Sequence, residues 1–177
     1  ALVAITILII GILGPLTVAS RGIADGIFAQ NQLIANYLAQ EGVEMVINQI
    51  DSSRRRSGDD WLTGLDNCMG DASVPGCNVD PTDNPLGFVQ CNTPSVCTLV
   101  YDGTTYTQSG TSGTQFARVI RVTDQGTEEQ EAAVSVTVKW FNKTVEKSLT
   151  LVEYISRCPS APPLPPPDSL GPWPCKS

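Results

Sequence analysis

Residues 1–20, ALVAITILIIGILGPLTVAS, hold no charged side chain, and Arg21 is the first charge in the chain. About twenty helical residues at 1.5 Å rise span roughly the 30 Å hydrocarbon core of a bilayer. Three readings compete for such a segment. A cleaved secretory signal needs a basic region before the apolar stretch and a small-residue cleavage site behind it, and neither is visible. A plain transmembrane anchor would tolerate Gly11, Gly14 and Pro15. The third reading is a helix end that sits in a membrane before assembly and afterwards packs against copies of itself.

The residues beyond Ser20 favour the third. They do not enter a loop: Phe28, Ala35, Ala39, Val43, Val46 and Ile50 recur at intervals of three, four or seven, one stripe of a 3.6-residue helix. Gln30, Asn31, Gln32, Gln40, Glu41, Glu44 and Gln49 supply the polar remainder. Arg54, Arg55 and Arg56 place cations where a helix C-terminus favours them, and Gly58 is a plausible stop. The pattern predicts one helix of about fifty residues and about 75 Å, longer than a domain of this size is wide. One half must project, and it is the apolar half. Proline removes a helical hydrogen bond and glycine lowers helix propensity by about 1 kcal/mol relative to alanine, so a kink or unwound stretch is expected at Gly11, Gly14 and Pro15.

Residues 57–115 read as an irregular acidic region. From Ser57 to Ala117 there are seven Asp and no Lys or Arg, with Gly, Pro, Asn and Ser throughout. The chain carries 11 basic and 18 acidic residues, a net charge of −7. Outside Ser57–Ala117 the two signs balance, so the acidity belongs to this segment. Clustered aspartates raise calcium as a ligand, but no twelve-residue D-x-D-x-D-G loop is present, and a solvated acidic loop is the better reading. Bulk attraction to nucleic acid is absent.

Strands follow. Thr98–Tyr101 and Thr104–Thr107 flank Asp102-Gly103, a dipeptide that two-residue hairpin turns prefer. Phe116–Thr123 is β-branched, and Val134, Val136, Val138 and Trp140 alternate with Ser135, Thr137 and Lys139. Asn142-Lys143 offers a turn into Thr144–Ile155; Asn142-Lys143-Thr144 also fits a glycosylation sequon, for which a turn asparagine is the plainer reading. The expected fold is α+β: the long helix, residues 1–20 as arm and 21–56 as amphipathic half, covers one face of an antiparallel sheet whose main strands lie in 116–157. The tail, 158–177, holds eight of the thirteen prolines and reads as a stiff polyproline strap.

The chain has no histidine, which removes His-based catalytic triads and His-ligated metal sites together. No carboxylate pair stands out, so no enzyme, cofactor or metal is implied. Six cysteines without a C-x-x-C pair read as disulfides. Fifteen connectivities exist; nearest-neighbour pairing, Cys68–Cys77, Cys91–Cys97 and Cys158–Cys175, would staple the two least regular regions, each by roughly 2–4 kcal/mol.

With these residues in hand, 1–50 resembles the N-terminal region of type IV pilins and secretion pseudopilins: A-L-V-A-I-T-I-L-I-I-G-I-L-G-P, then an amphipathic helix ending in A-Q-E-G-V-E-M-V. The resemblance extends more loosely to the helix-on-sheet head, to about residue 155. It implies a prepilin peptidase that cuts after a glycine preceding Phe-Thr-Leu-x-Glu, and a methylated new N-terminus. The sequence starts at Ala1, where the residues just after that glutamate are expected, so those residues are expected upstream. It further implies insertion in the inner membrane, extraction by an assembly machine, and a helical homo-oligomeric filament at the cell surface serving adhesion or motility. Ala1, Leu2, Ile5, Leu8, Ile9, Ile12 and Leu16 are the expected filament-core residues. Alternatives are a minor pilin or pseudopilin of few copies and, from another class, an adhesin or ligand-binding head on a single membrane anchor.

Overall fold

A computed structural model describes residues 2–56, 60–70, 73–83, 85–108, 116–124, 131–142 and 144–156. Helix α1 runs from Leu2 to Arg54, 53 residues. Of the stripe read from the sequence, Ala35, Ala39, Val43, Val46 and Ile50 are buried, and Phe28 packs against the same core from a half-buried position. Leu38 and Met45 widen the stripe. The helix continues through Gly11, Gly14 and Pro15, so the unwound stretch expected there is a correction. A single proline removes only one hydrogen bond from a helix already nucleated on both sides, and the Ile and Leu residues around it carry the helix across.

The sheet against which α1 packs has five antiparallel strands in the order β2-β1-β5-β6-β7. They are β1 (Cys77–Val79), β2 (Phe88–Gln90), β5 (Phe116–Asp124), β6 (Glu131–Asn142) and β7 (Val145–Ser156); β3 (Val100–Tyr101) and β4 (Tyr106–Thr107) form a separate pair. Alternation sets the faces. Phe116, Ile120 and Val122 on β5, and Ala132, Val134, Val136, Val138 and Trp140 on β6, point at the helix and are buried. On β7, Leu149, Leu151 and Ile155 are half-buried against the same core. Ile120 stands opposite Val136, and Val136 opposite Leu151, so one apolar row crosses three strands. Helix and sheet meet closely at Gly42: a Cβ there would lie 2.9 Å from Val136 Cγ1.

Three details differ from the sequence reading. The acidic region contains sheet: β1 joins β5 through Cys77 opposite Ile120, and β2 extends the sheet beyond it. Cys77, Asn78 and Val79 are all buried, so a three-residue strand in the core leaves no alternation to read. Second, the β3–β4 loop is four residues long, 102–105, because Tyr101 pairs with Tyr106 and not Asp102 with a neighbour across a two-residue turn. The Asp102 carboxylate accepts from the Thr104 and Thr105 amides, both at 2.8 Å, an Asx arrangement that favours the wider loop. Third, Gly76 before β1 has φ +78°, and a Cβ there would lie 2.8 Å from the Ile120 carbonyl oxygen, a close approach that only glycine allows.

Two disulfides are formed, Cys68–Cys77 and Cys91–Cys97, with Cα separations of 4.7 and 5.6 Å. They match two of the three nearest-neighbour pairs. Cys158 and Cys175, with the rest of the proline-rich tail, lie outside the described residues.

Candidate assembly surface

The apolar arm and the amphipathic half are one helix with two different surroundings. From Asn31 onward α1 buries side chains against the sheet. Before that, Val3, Ile5, Ile7, Val18, Ile23 and Ile27 are all exposed, Val3 at 72% and Ile23 at 67%. Six large β-branched side chains facing solvent on one element is an apolar surface of the kind that marks an interaction site. The Thr6 hydroxyl donates to the Val3 carbonyl at 2.9 Å, so the arm's early polar side chain is satisfied by its own helix and asks nothing of an apolar surrounding. Gly11, Gly22 and Gly26 have open space where a Cβ would stand; no residue of the head requires them to be glycine.

Of the residues expected to form a filament core, Ile5 is exposed at 56%. Ala1 and the side chains of Leu2, Leu8, Ile9, Ile12 and Leu16 lie outside what the structure describes. Among the described residues no helix is long and apolar enough to cross a membrane; the side chains of 8–10 and 12–17, which make up much of the apolar run, are not among them.

The arm is joined to the head by a device the sequence reading missed. Arg118, fully buried on β5, points at α1 in phase with Phe116, Ile120 and Val122. Its guanidinium donates to the Glu41 carboxylate at 2.7 Å and the Leu38 carbonyl at 3.3 Å on α1, and to Asn78 Oδ1 at 2.9 Å and the Val79 carbonyl at 2.8 Å on β1. One side chain thus fastens the helix, β1 and β5. Burial pushes the guanidinium below its ordinary pKa, and the Glu41 carboxylate opposes that shift, with Asp80 adding to it. Asp80 is itself buried, accepting from Thr82 at 3.0 Å and from the Gln108 amide at 2.8 Å. The available signal was a cation at an inward position of an otherwise apolar strand, which needs a partner.

The aspartates of 57–117 are dispersed. Asp80 is buried, Asp102 serves its own loop, and among the described residues no group of three or more metal-ligating side chains converges. Hydrogen bonds from the Thr105 and then the Thr104 amide hold the Asp102 carboxyl below its usual range. Beside it, burial and the neighbouring Tyr101 raise the Tyr106 phenol. Compared with known proteins, the chain matches no family model, no curated protein and no solved structure.

Proposed function

We propose that the chain is a structural subunit of a type IV pilus-like filament, assembled by packing of its N-terminal helices. The observation that supports this most is the division of α1: its second half is built into the head by the core and by Arg118, while its first half, which the core reaches only at Phe28, leaves Val3, Ile5, Ile7, Val18, Ile23 and Ile27 exposed. A helix that is apolar around its circumference belongs in lipid or in a core of other helices. Gly22 and Gly26 fit the second environment. Each costs about 1 kcal/mol of helix propensity, the head does not call for them, and small residues let helix backbones approach closely. Before assembly the arm rests in the cytoplasmic membrane; afterwards it exchanges lipid contacts for protein contacts. Because arm and receiving surface are different patches, the contact is heterologous and generates an open helical polymer.

The decisive variant is Leu8→Asp. Expressed with the assembly machinery, it is expected to give no filaments by electron microscopy while the head retains its native circular dichroism. Normal filaments from Leu8→Asp would overturn the reading, and a monomer in detergent that never polymerises under any condition would favour an anchored binding head.

A further inference from the structure

Arg54-Arg55-Arg56 is the one run of consecutive basic residues in the sequence. Arg54 is engaged within its own copy: it lies 3.8 Å from Asp51, donates to the Ser156 carbonyl at 2.7 Å, and sits over the Trp61 ring at 5.4 Å. Arg55 and Arg56 are exposed at the end of α1.

Further back on the same helix, Tyr37 and Glu44 border an open groove of about 420 Å³, completed by Tyr101 and Tyr106 of the β3–β4 hairpin. Tyr37 and Tyr101 are exposed, and the Tyr101 and Tyr106 rings lie 5.0 Å apart, tilted by 41°. Glu41, which also lines the groove, is already paired with Arg118, whereas Glu44 is exposed. Tyrosine faces beside a carboxylate suit a guanidinium, which gains a cation–π contact and a charge-assisted hydrogen bond together.

Steps of seven and eleven residues return to nearly the same angle on a helix, and Arg55, the first residue past α1, keeps the helical pattern by donating its amide to the Asp51 carbonyl at 3.3 Å, so Tyr37, Glu44 and Arg55 lie along one line. Within one copy Arg55 and Glu44 are held about 16 Å apart by the rise of the helix itself and never meet. Two complementary patches at different heights on one rigid element satisfy each other only between copies, and such a contact propagates.

We propose that Arg55 and Arg56 of one copy dock into the tyrosine groove at Glu44 of the next, setting neighbouring helices about 16 Å out of step. This rests on the filament reading and supplies it with a head-to-head contact. The test uses the full chain with its assembly machinery. Glu44→Arg alone, and Arg55→Glu with Arg56→Glu, are each expected to lower the yield of sheared filaments by about tenfold, and all three together to restore it. Normal yield from either reversal, or no recovery in the combined variant, overturns the contact. A milder pair, Glu44→Gln and Arg55→Gln, is expected to make filaments dissociate at lower salt; unchanged salt tolerance in both overturns it as well. Leu8→Asp is run in parallel. If it abolishes filaments while the charge variants do not, the contact alone fails; if it does not, the filament reading fails.

Discussion

The two halves of α1 share a backbone and little else. Between Asn31 and Arg54 every third or fourth side chain is fixed by the sheet, and the polar residues fill the remaining circumference. Between Leu2 and Gln30 the described exposed side chains include Val3, Ile5, Ile7, Val18, Ile23 and Ile27, and packing against the core is confined to the last turns near Phe28. The same element is thus specified by periodicity in one half and by composition in the other. Periodicity records a partner within the chain; its absence in the first half is what the proposed filament contact would account for.

Substitutions that act on one half only sharpen the contrast. The largest effect is expected where the second half is fastened to the sheet. Arg118→Ala leaves the buried Asn78 and Val79 acceptors without their donor, at about 1–3 kcal/mol for each unsatisfied group, while the half-exposed Glu41 carboxylate turns to water. Thermal unfolding of the detergent-solubilised chain should show it as a large fall in Tm, whereas Glu41→Gln, which keeps an acceptor at a half-exposed position, should lose much less. An Arg118→Ala protein as stable as wild type would show that the packing of α1 does not depend on this network.

Next comes loss of the core disulfide. Replacing Cys68 and Cys77 by serine should lower stability by roughly 2–4 kcal/mol, measured by denaturant titration, with the helicity of the arm unchanged in circular dichroism.

One substitution should have opposite signs in the two halves. Gly42→Ala puts a methyl group 2.9 Å from Val136 Cγ1, and overpacking costs about 1–3 kcal/mol, more than the helix propensity gained. Gly26→Ala meets open space and should stabilise the isolated chain by up to about 1 kcal/mol. Equal shifts in Tm from the two would erase the distinction drawn here.

The smallest effect is a pH dependence confined to the head. Asp102 has its folded pKa lowered by the Thr105 and Thr104 amides. A depressed carboxylate contributes stability above its unfolded pKa and loses it as pH falls through the folded one. Acidification below the ordinary aspartate range should therefore loosen the 102–105 loop first, seen as faster amide exchange at Thr104 and Thr105. Asp102→Ala should show the same fast exchange at neutral pH.

The parts legible in the sequence were those with enough length to repeat. Six stripe residues on α1 and the alternation from Val134 to Trp140 each sample their period several times. The cysteines read as disulfides, but the sequence left fifteen connectivities open; the structure selects two nearest-neighbour pairs that close short loops. β1 was hidden since three consecutive buried residues show no period, and its place beside β5 is held by long-range pairing and by Gly76. Arg118 was visible as an oddity in Phe116–Thr123, but its partners lie 40 residues away at Asn78 and 77 away at Glu41, and spacing along the chain does not encode such a meeting. Of the kink or unwound stretch expected at Pro15, the unwound stretch does not form; local propensity was weighed there without the helix on either side.

That continuity turns the fastening at Arg118 into a question of angular precision. The helix between Leu38, which accepts one of the Arg118 hydrogen bonds, and Leu2 is about 54 Å long. Each degree by which the helix tilts on the sheet therefore carries the far end of the arm through about 1 Å, and five degrees move it by the width of a methyl-bearing side chain. An unwound break at Pro15 would absorb such errors; a continuous helix transmits them. Variants that leave the head folded but shift the seat of α1, Gly42→Ala among them, would thus act on the geometry of the arm's tip, far from the contact at Val136 itself.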